Sequence, residues 1–233
     1  DQLDFSPLKV VIGGGAADKL LVSARTEKGI SLFLVDRKAA GVTVRSTMTQ
    51  DGARAAEVRL DNVPVGSDAL VGAQDGALPA IERALDYGIA AMCAESVGIM
   101  AALDEATLEY LKTRKQFGQP IVRFQALQHR MVDMVIATEQ ARSMAMMAAV
   151  KADSPDAAGR RRAISAARAY IGQQARFVGQ QAVQLHGGMG VVDELNVSHY
   201  FKRLTVLEMT FGDSLHQLGE VSARMQDTAG VFA

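Results

Sequence analysis

The chain has 233 residues, 48% of them hydrophobic, and a formal net charge of −1, so it can bury a sizeable core in one or two domains and offers no basic footprint for a nucleic-acid partner. Its single cysteine, Cys93, excludes disulfides and cysteine-rich metal sites and, lying in an apolar helical run, reads as a buried, inert thiol. No run approaches 18 uninterrupted apolar residues, and the start DQLDFSPLKVV lacks the basic and apolar regions of a signal peptide, so the expectation is a cytoplasmic protein without membrane insertion.

The first part of the chain, 1–73, carries short β-rich runs, KVVIG, KLLVSA, ISLFLVD, VTVRSTM and AAEVRLDNV, separated by GGGAAD, TEKG and AAG. Such alternation predicts a partial antiparallel β-sheet or barrel. About 70 residues are thin for an independent sheet domain, so an N-terminal part is expected beyond this chain. The second part, 74–233, predicts a helical bundle: three long helices over about 76–115, 124–152 and 156–186, and a shorter one near 214–227, joined as a four-helix bundle by short loops. The class is therefore α+β and multidomain. Ile164, Ala167, Ile171, Ala175, Val178, Ala182 and Leu185 form one apolar stripe. Pro120 ends the first helical region, and Asp153-Ser154-Pro155 opens the third with a cap and an early proline. Met131, Met134, Met144, Met146 and Met147 read as gap-filling core or interface residues, and Arg160, Arg161 and Arg162 as a solvated helix face.

The third helix runs into QLHGGMG, Gln184 to Gly190. One glycine there is explained by a helix cap; the second is left over, and the spacing matches neither common phosphate-loop motif. A backbone without side chains is also what a closely approaching anion needs.

Three motifs in order, RAAEVRLDNVPVGSDALVG (54–72), RKQFGQPIVRFQALQHRMVDM (114–134) and QAVQLHGGMGVVDEL (181–195), resemble the acyl-CoA dehydrogenase family, with its middle β domain and C-terminal four-helix domain. The family's N-terminal helical domain is absent from this chain. DELNVSHYFKRLT followed by TFGDS is most similar to a branch of small subunits within it. The resemblance implies FAD, with the R-x-x-F-G motif and the Q-x-x-G-G segment contacting the flavin's pyrophosphate and adenosine in a neighbouring subunit. Here those residues are Arg114, Phe117, Gln125, Gln184, Gly187 and Gly188. A site completed in trans implies a dimer or tetramer. A forked guanidinium and a bare backbone suit that anion. His186, between them, reads as a packed or surface side chain rather than a catalyst.

The reaction so implied is α,β-desaturation of an acyl-CoA thioester, with a carboxylate removing the α-proton, hydride leaving to the flavin, and the electrons passing to an electron-transfer acceptor. The base, a Glu, opens an E-G-T-S segment in most members; here the segment reads Phe211-Gly212-Asp213-Ser214. Other members carry it on the first long helix, at the position of Gly88. The LD-x-x-R pattern reads Leu85-Asp86-Tyr87-Gly88-Ile89, which leaves Asp86 as a candidate substrate contact, and K-x-W-I-T reads Lys9-Val10-Val11-Ile12-Gly13. Asp213 is a substitute base or, directly before a helical run, an N-cap; Glu95 and Glu208 read as exposed or paired carboxylates. The expectation is a base-lacking subunit working beside a second acyl-CoA dehydrogenase-like subunit. Its alternatives are a homo-oligomer using Asp213, a same-fold oxidase or monooxygenase, and a non-catalytic scaffold.

Overall fold

A computed structural model describes residues 9–229; the segment DQLDFSPL at the start lies outside the described residues. The chain divides into two compact units at Ala84/Leu85, within a helix. The first holds β1 (Lys9–Ile12), β2 (Lys19–Arg25), β3 (Ile30–Asp36), β4 (Val42–Met48), β5 (Arg54–Leu60) and β6 (Leu70–Val71). They pair antiparallel in two sheets, ordered β1-β5-β4 and β2-β3-β6. Strand side chains alternate between faces, so Leu20 and Ala24 of β2, Phe33 and Val35 of β3, and Ala56, Val58 and Leu60 of β5 build one core shared by both sheets.

The second unit contains most of α1 (Leu78–Thr113), a hairpin of β7 (Lys115–Gln116) and β8 (Gln119–Pro120), and α2 (Gln125–Ala152), α3 (Ala157–His186), α4 (Asn196–Met209) and α5 (Ser214–Ala229). The central helix is α3, which packs against α2, α4 and α5. Every residue of its expected apolar stripe is buried, as are Met131 and Met134 of α2, while Met146 is exposed. By length and hydropathy α1 matches a membrane-spanning helix, but Ile89, Cys93, Val97, Met100, Leu103 and Leu111 lie in the bundle core. Burial raises the Cys93 thiol to about 11, against a smaller opposing influence from Arg168.

Three local expectations are corrected. The cap of α3 is Asp156, which accepts a hydrogen bond from the Gly159 N–H at 3.1 Å; Asp153 instead accepts from the Tyr87 hydroxyl. Arg160 is buried and donates to Asp86 at 2.8 Å, and Arg161 donates to the other Asp86 oxygen at 2.6 Å, so only Arg162 of that trio stands on a solvated face. And α4 forms a separate helix, despite Asn196, Ser198, His199 and Thr205 being weak helix formers, because Val197, Leu204 and Leu207 are buried in the core.

Gly172 of α3 fixes how closely α4 and α5 approach. A Cβ there would collide with Glu208 Oε2 and Ser214 Oγ, and Glu208 cannot yield freely because its Oε1 accepts bonds from Ser214 N and Oγ at 3.0 and 2.7 Å. Gly172→Val therefore destabilises the bundle by about 1–3 kcal/mol, whereas Gly98→Ala in α1, where an added Cβ meets nothing, stabilises it by about 0.4–1 kcal/mol. Thermal unfolding of the two variants checks the pair, and equal shifts would contradict it.

Between α1 and α2, burial raises the Asp104 carboxyl to about 6; the Thr138 hydroxyl opposes the shift and Glu139 adds to it. The folded state thus holds a proton that the unfolded chain, titrating near 3.9, has released, and the stability from this group falls as pH rises from about 4 to 6. Asp104→Asn should flatten that segment of the stability profile and raise the melting temperature at pH 7. A lower melting temperature at pH 7 with the slope intact would contradict the assignment.

Candidate functional site

At the end of α1 the Arg114 N–H still donates to the Tyr110 carbonyl (2.8 Å), while the Arg114 carbonyl accepts from Ile121 N–H (2.9 Å). The chain turns through Phe117 (φ 53°) and Gly118 (φ 77°). A bulky residue at positive φ costs of order 1–3 kcal/mol and needs surroundings that impose it; here the hairpin pairing supplies them. The Phe117 side chain is 89% exposed, touching Phe124 edge-on at 6.0 Å. The Arg114 guanidinium is exposed and makes no hydrogen bond or ion pair among the described residues.

At the end of α3 the glycines divide their labour. Gly187 adopts φ 61°, ψ −138°, which strains any residue with a Cβ. Gly190 lets the chain close on α3, since a Cβ would lie 2.6 Å from the Val183 carbonyl oxygen. Gly188 meets neither demand: its φ is ordinary, and a Cβ there would touch nothing. Nothing within the described residues requires that position to be bare.

One contact joins the two segments. Tyr110, a turn before Arg114, stacks on His186, directly before Gly187, with centroids 4.4 Å apart and planes at 28°. Its hydroxyl donates to the His186 carbonyl at 3.3 Å. His186 Nδ1 lies 2.8 Å from the Ala182 carbonyl; a carbonyl only accepts, so Nδ1 carries the proton. Burial lowers the His186 pKa, with the Ala182 bond a smaller opposing influence, and the ring stays neutral. The Arg114 hairpin and the Gln184–Gly188 segment are thereby held at one end of the bundle. An unpaired guanidinium on one segment and an unobstructed glycine backbone on the other are groups that suit a phosphate-bearing ligand. Exposed Gln184 caps nothing with its side chain, and Gln125 is exposed on the first turn of α2.

A second locus lies where α1 meets the α4–α5 turn. The two candidate base positions are neighbours: a Cβ on Gly88 would sit 3.4 Å from Phe211 Cε2. Phe211 (φ 57°) and Gly212 (φ 92°) are held by Gln217, whose amide donates to the Phe211 carbonyl at 2.9 Å, and by the Glu208–Ser214 bonds. The Asp213 side chain accepts from the His216 N–H at 2.8 Å, which is an N-cap bond. Asp86, expected as a substrate contact, is 1% exposed with both oxygens bonded to guanidinium groups; that geometry makes it a tie between α1 and α3. Glu95 is engaged twice by Arg203, at 2.6 and 3.0 Å. In the first unit, Val11 packs against the sheet core, and the Gly13 N–H donates to the Arg54 carbonyl at 2.7 Å.

Tyr110, Glu208 and Gln217 were not read from the sequence as parts of either locus. The spacing of Tyr110 four residues before Arg114, one helical turn, was the available signal.

The fold points to one family. Residues 75–226 match the family described as acyl-CoA dehydrogenase, C-terminal domain, and the chain belongs to the acyl-CoA dehydrogenase family. It is 32% identical over 207 residues to a probable acyl-CoA dehydrogenase of Bacillus subtilis (strain 168), covering 85% of this chain and 54% of that protein. Among solved structures it resembles a variant of the Tcur3481-Tcur3483 steroid ACAD (31% identical, TM-score 0.85, 97% of this chain and 60% of that one). It also resembles the ChsE4-ChsE5 complex from Mycobacterium tuberculosis (25% identical, TM-score 0.83, 96% and 60%). The chain spans about half the length of the curated relatives it matches. Members of the family are FAD-dependent oxidoreductases.

If Arg114 takes the phosphate, Arg114→Ala removes charge-assisted bonds worth about 1.5–3 kcal/mol each and strips flavin during gel filtration while the melting temperature of the apoprotein holds. Gly188→Val should act the same way, because the branched side chain disturbs only the ligand's space. Gly187→Val should lower melting temperature as well as flavin retention. Full visible flavin absorbance in both Arg114→Ala and Gly188→Val would overturn the site.

Proposed function

We propose that this chain is the flavin-holding, base-lacking subunit of a heteromeric acyl-CoA dehydrogenase, acting in the cytoplasm on the α,β-bond of an acyl-CoA thioester. Gly88 set against Phe211 carries the reading: neither of the two positions at which the family places its carboxylate can accept a proton here. The resemblance of DELNVSHYFKRLT and TFGDS to the small subunit of pimeloyl-CoA dehydrogenase supports it, as does likeness to a structure described as a complex of two components.

Within this reading Arg114 neutralises the pyrophosphate, the bare Gly188 lets it approach, and Gln184, Gln125 and Phe117 line the same end. The neutral His186 and Tyr110 keep these groups in place. FAD, when bound, supplies an acceptor for the β-hydrogen as hydride. The α-proton is taken by a Glu of a second acyl-CoA dehydrogenase-like subunit, and the assembly, a dimer or tetramer, hands its electrons to a separate acceptor. A self-sufficient enzyme using Asp213 is the competing reading, kept in view because that side chain is exposed two residues beyond Phe211.

Loss of a general base costs typically 10²–10⁴-fold in rate. The purified chain with FAD and an artificial acceptor should therefore fail to desaturate acyl-CoAs of several lengths, and co-expression with the second subunit should restore turnover. Asp213→Asn keeps an equally good cap and should leave the assembled activity unchanged. Turnover by the chain alone, abolished by Asp213→Asn, would contradict the proposal.

A further inference from the structure

The unpaired positive charge of the helical unit is gathered at one end. From Thr113 to Val132 the sequence holds Arg114, Lys115, Arg123 and Arg130 and no acidic residue. All four are exposed, and among the described residues none of their side chains makes a hydrogen bond or ion pair. Among the other described lysines and arginines of this unit, all but Lys151 and Arg162 are in an ion pair with a carboxylate. The four share one end because of the hairpin. Lys115 pairs with Pro120 across it, the Ile121 N–H donates to the Arg114 carbonyl at 2.9 Å, and Arg123 follows two residues later. The Gln128 side chain donates to the Val122 carbonyl at 2.9 Å, and Arg130, five residues into α2, lies about 8 Å along its axis.

Contact with a pyrophosphate does not need so much charge, since one guanidinium makes forked bonds to phosphate oxygens. We propose that Lys115, Arg123 and Arg130 form an electrostatic funnel that draws the dianionic FAD towards Arg114 and speeds its capture. They act through their field, and the contacts of the loaded site remain those of Arg114 and the glycine segment. A surface of one sign raises the on-rate for an oppositely charged ligand by about 10–10³-fold, and the gain falls steeply with ionic strength. Charges outside the contact act on association and its salt dependence rather than on dissociation. Asp133, one turn beyond Arg130, and Glu194, beyond the glycine turn, offset part of the field. Glu109 and Asp193 are neutralised by Lys112 and Lys202, and the ring of His186 adds no charge. The inference rests on the flavin reading of the Arg114 end.

The experiment mixes the deflavinated full assembly with FAD in a stopped-flow instrument and follows flavin fluorescence. At an ionic strength of about 0.01 M, where charges act over about 30 Å, Arg123→Glu combined with Arg130→Glu should slow association at least about tenfold. Its dissociation rate should stay within about twofold of the parent's, and at about 1 M salt the two association rates should converge. The neutral pair Arg123→Gln with Arg130→Gln should fall between them. Lys151→Glu combined with Arg162→Glu makes the same change of net charge at the far ends of α2 and α3 and should leave association as in the parent. Unchanged association in the Arg123→Glu and Arg130→Glu chain at low salt would overturn the funnel, as would equal slowing in the Lys151→Glu and Arg162→Glu chain. Slowing that persists at high salt, or an assembly that separates in sedimentation, would make these arginines contacts and equally overturn it. If Arg114→Ala keeps its flavin, the site reading fails and the funnel with it. If Arg114→Ala loses flavin while the reversed pair captures it at the parent's rate, the funnel alone fails.

Discussion

The stack of Tyr110 on His186 is the contact on which the rest of the site depends. It joins the C-terminal ends of two helices about 30 residues long or more, and each end opens into a segment unstable by itself: a hairpin turned by a positive-φ phenylalanine, and a glycine turn with little side-chain packing. Aromatic stacking is worth about 0.5–1.5 kcal/mol beyond area burial, enough to fix two frayed ends whose helices are already packed. It works only while His186 is neutral, because a buried cation would have to be desolvated without a counter-charge. The site therefore gathers its positive charge at Arg114, on the surface.

The α4–α5 turn is organised by an opposite logic, with buried polar groups determining an exposed apolar one. Glu208 and Gln217, both nearly inaccessible, hold Ser214 and the Phe211 carbonyl, and Gly172 yields the space in which Glu208 lies. Together they impose a left-handed conformation on Phe211 that its own side chain disfavours. The ring is delivered against Gly88. A turn so strongly specified presents an apolar ring at its tip, at the place where the proposed reading would look for a reactive carboxylate.

Much of this was legible in the sequence. The strand runs, the α3 stripe and the glycine pair at 187–188 follow from periodicity and backbone freedom, both local properties. The motifs around Arg114 and Gln184 resolved the family because they occur in order and at spacing that packing alone does not demand. What escaped were long-range pairings. That Arg160 and Arg161 grip Asp86 cannot be read from a basic run, since nothing local distinguishes a solvated arginine from one opposite a buried carboxylate 74 or 75 residues away. The cap of α3 falls at Asp156, after the Asp153-Ser154-Pro155 stretch, because Asp153 is still the C-cap of α2. Helix α4 was not separated out because its local propensity is weak and core burial decides it. At Gly187 and Gly188 the sequence offered a single puzzle; backbone angle accounts for the first and close packing for Gly190 nearby, while nothing within the described residues accounts for Gly188.

The account rests on one chain presenting Arg114 and Gly188 together to one phosphate group, and a high-resolution structure of the full assembly with its flavin tests that most directly. The account predicts a pyrophosphate oxygen at a charge-assisted distance of about 2.7–2.9 Å from the Arg114 guanidinium, with the same anion seated against the Gly188 backbone of the same subunit. A flavin whose pyrophosphate is held wholly by other residues, with Arg114 in solvent and Gly188 still open, would contradict it.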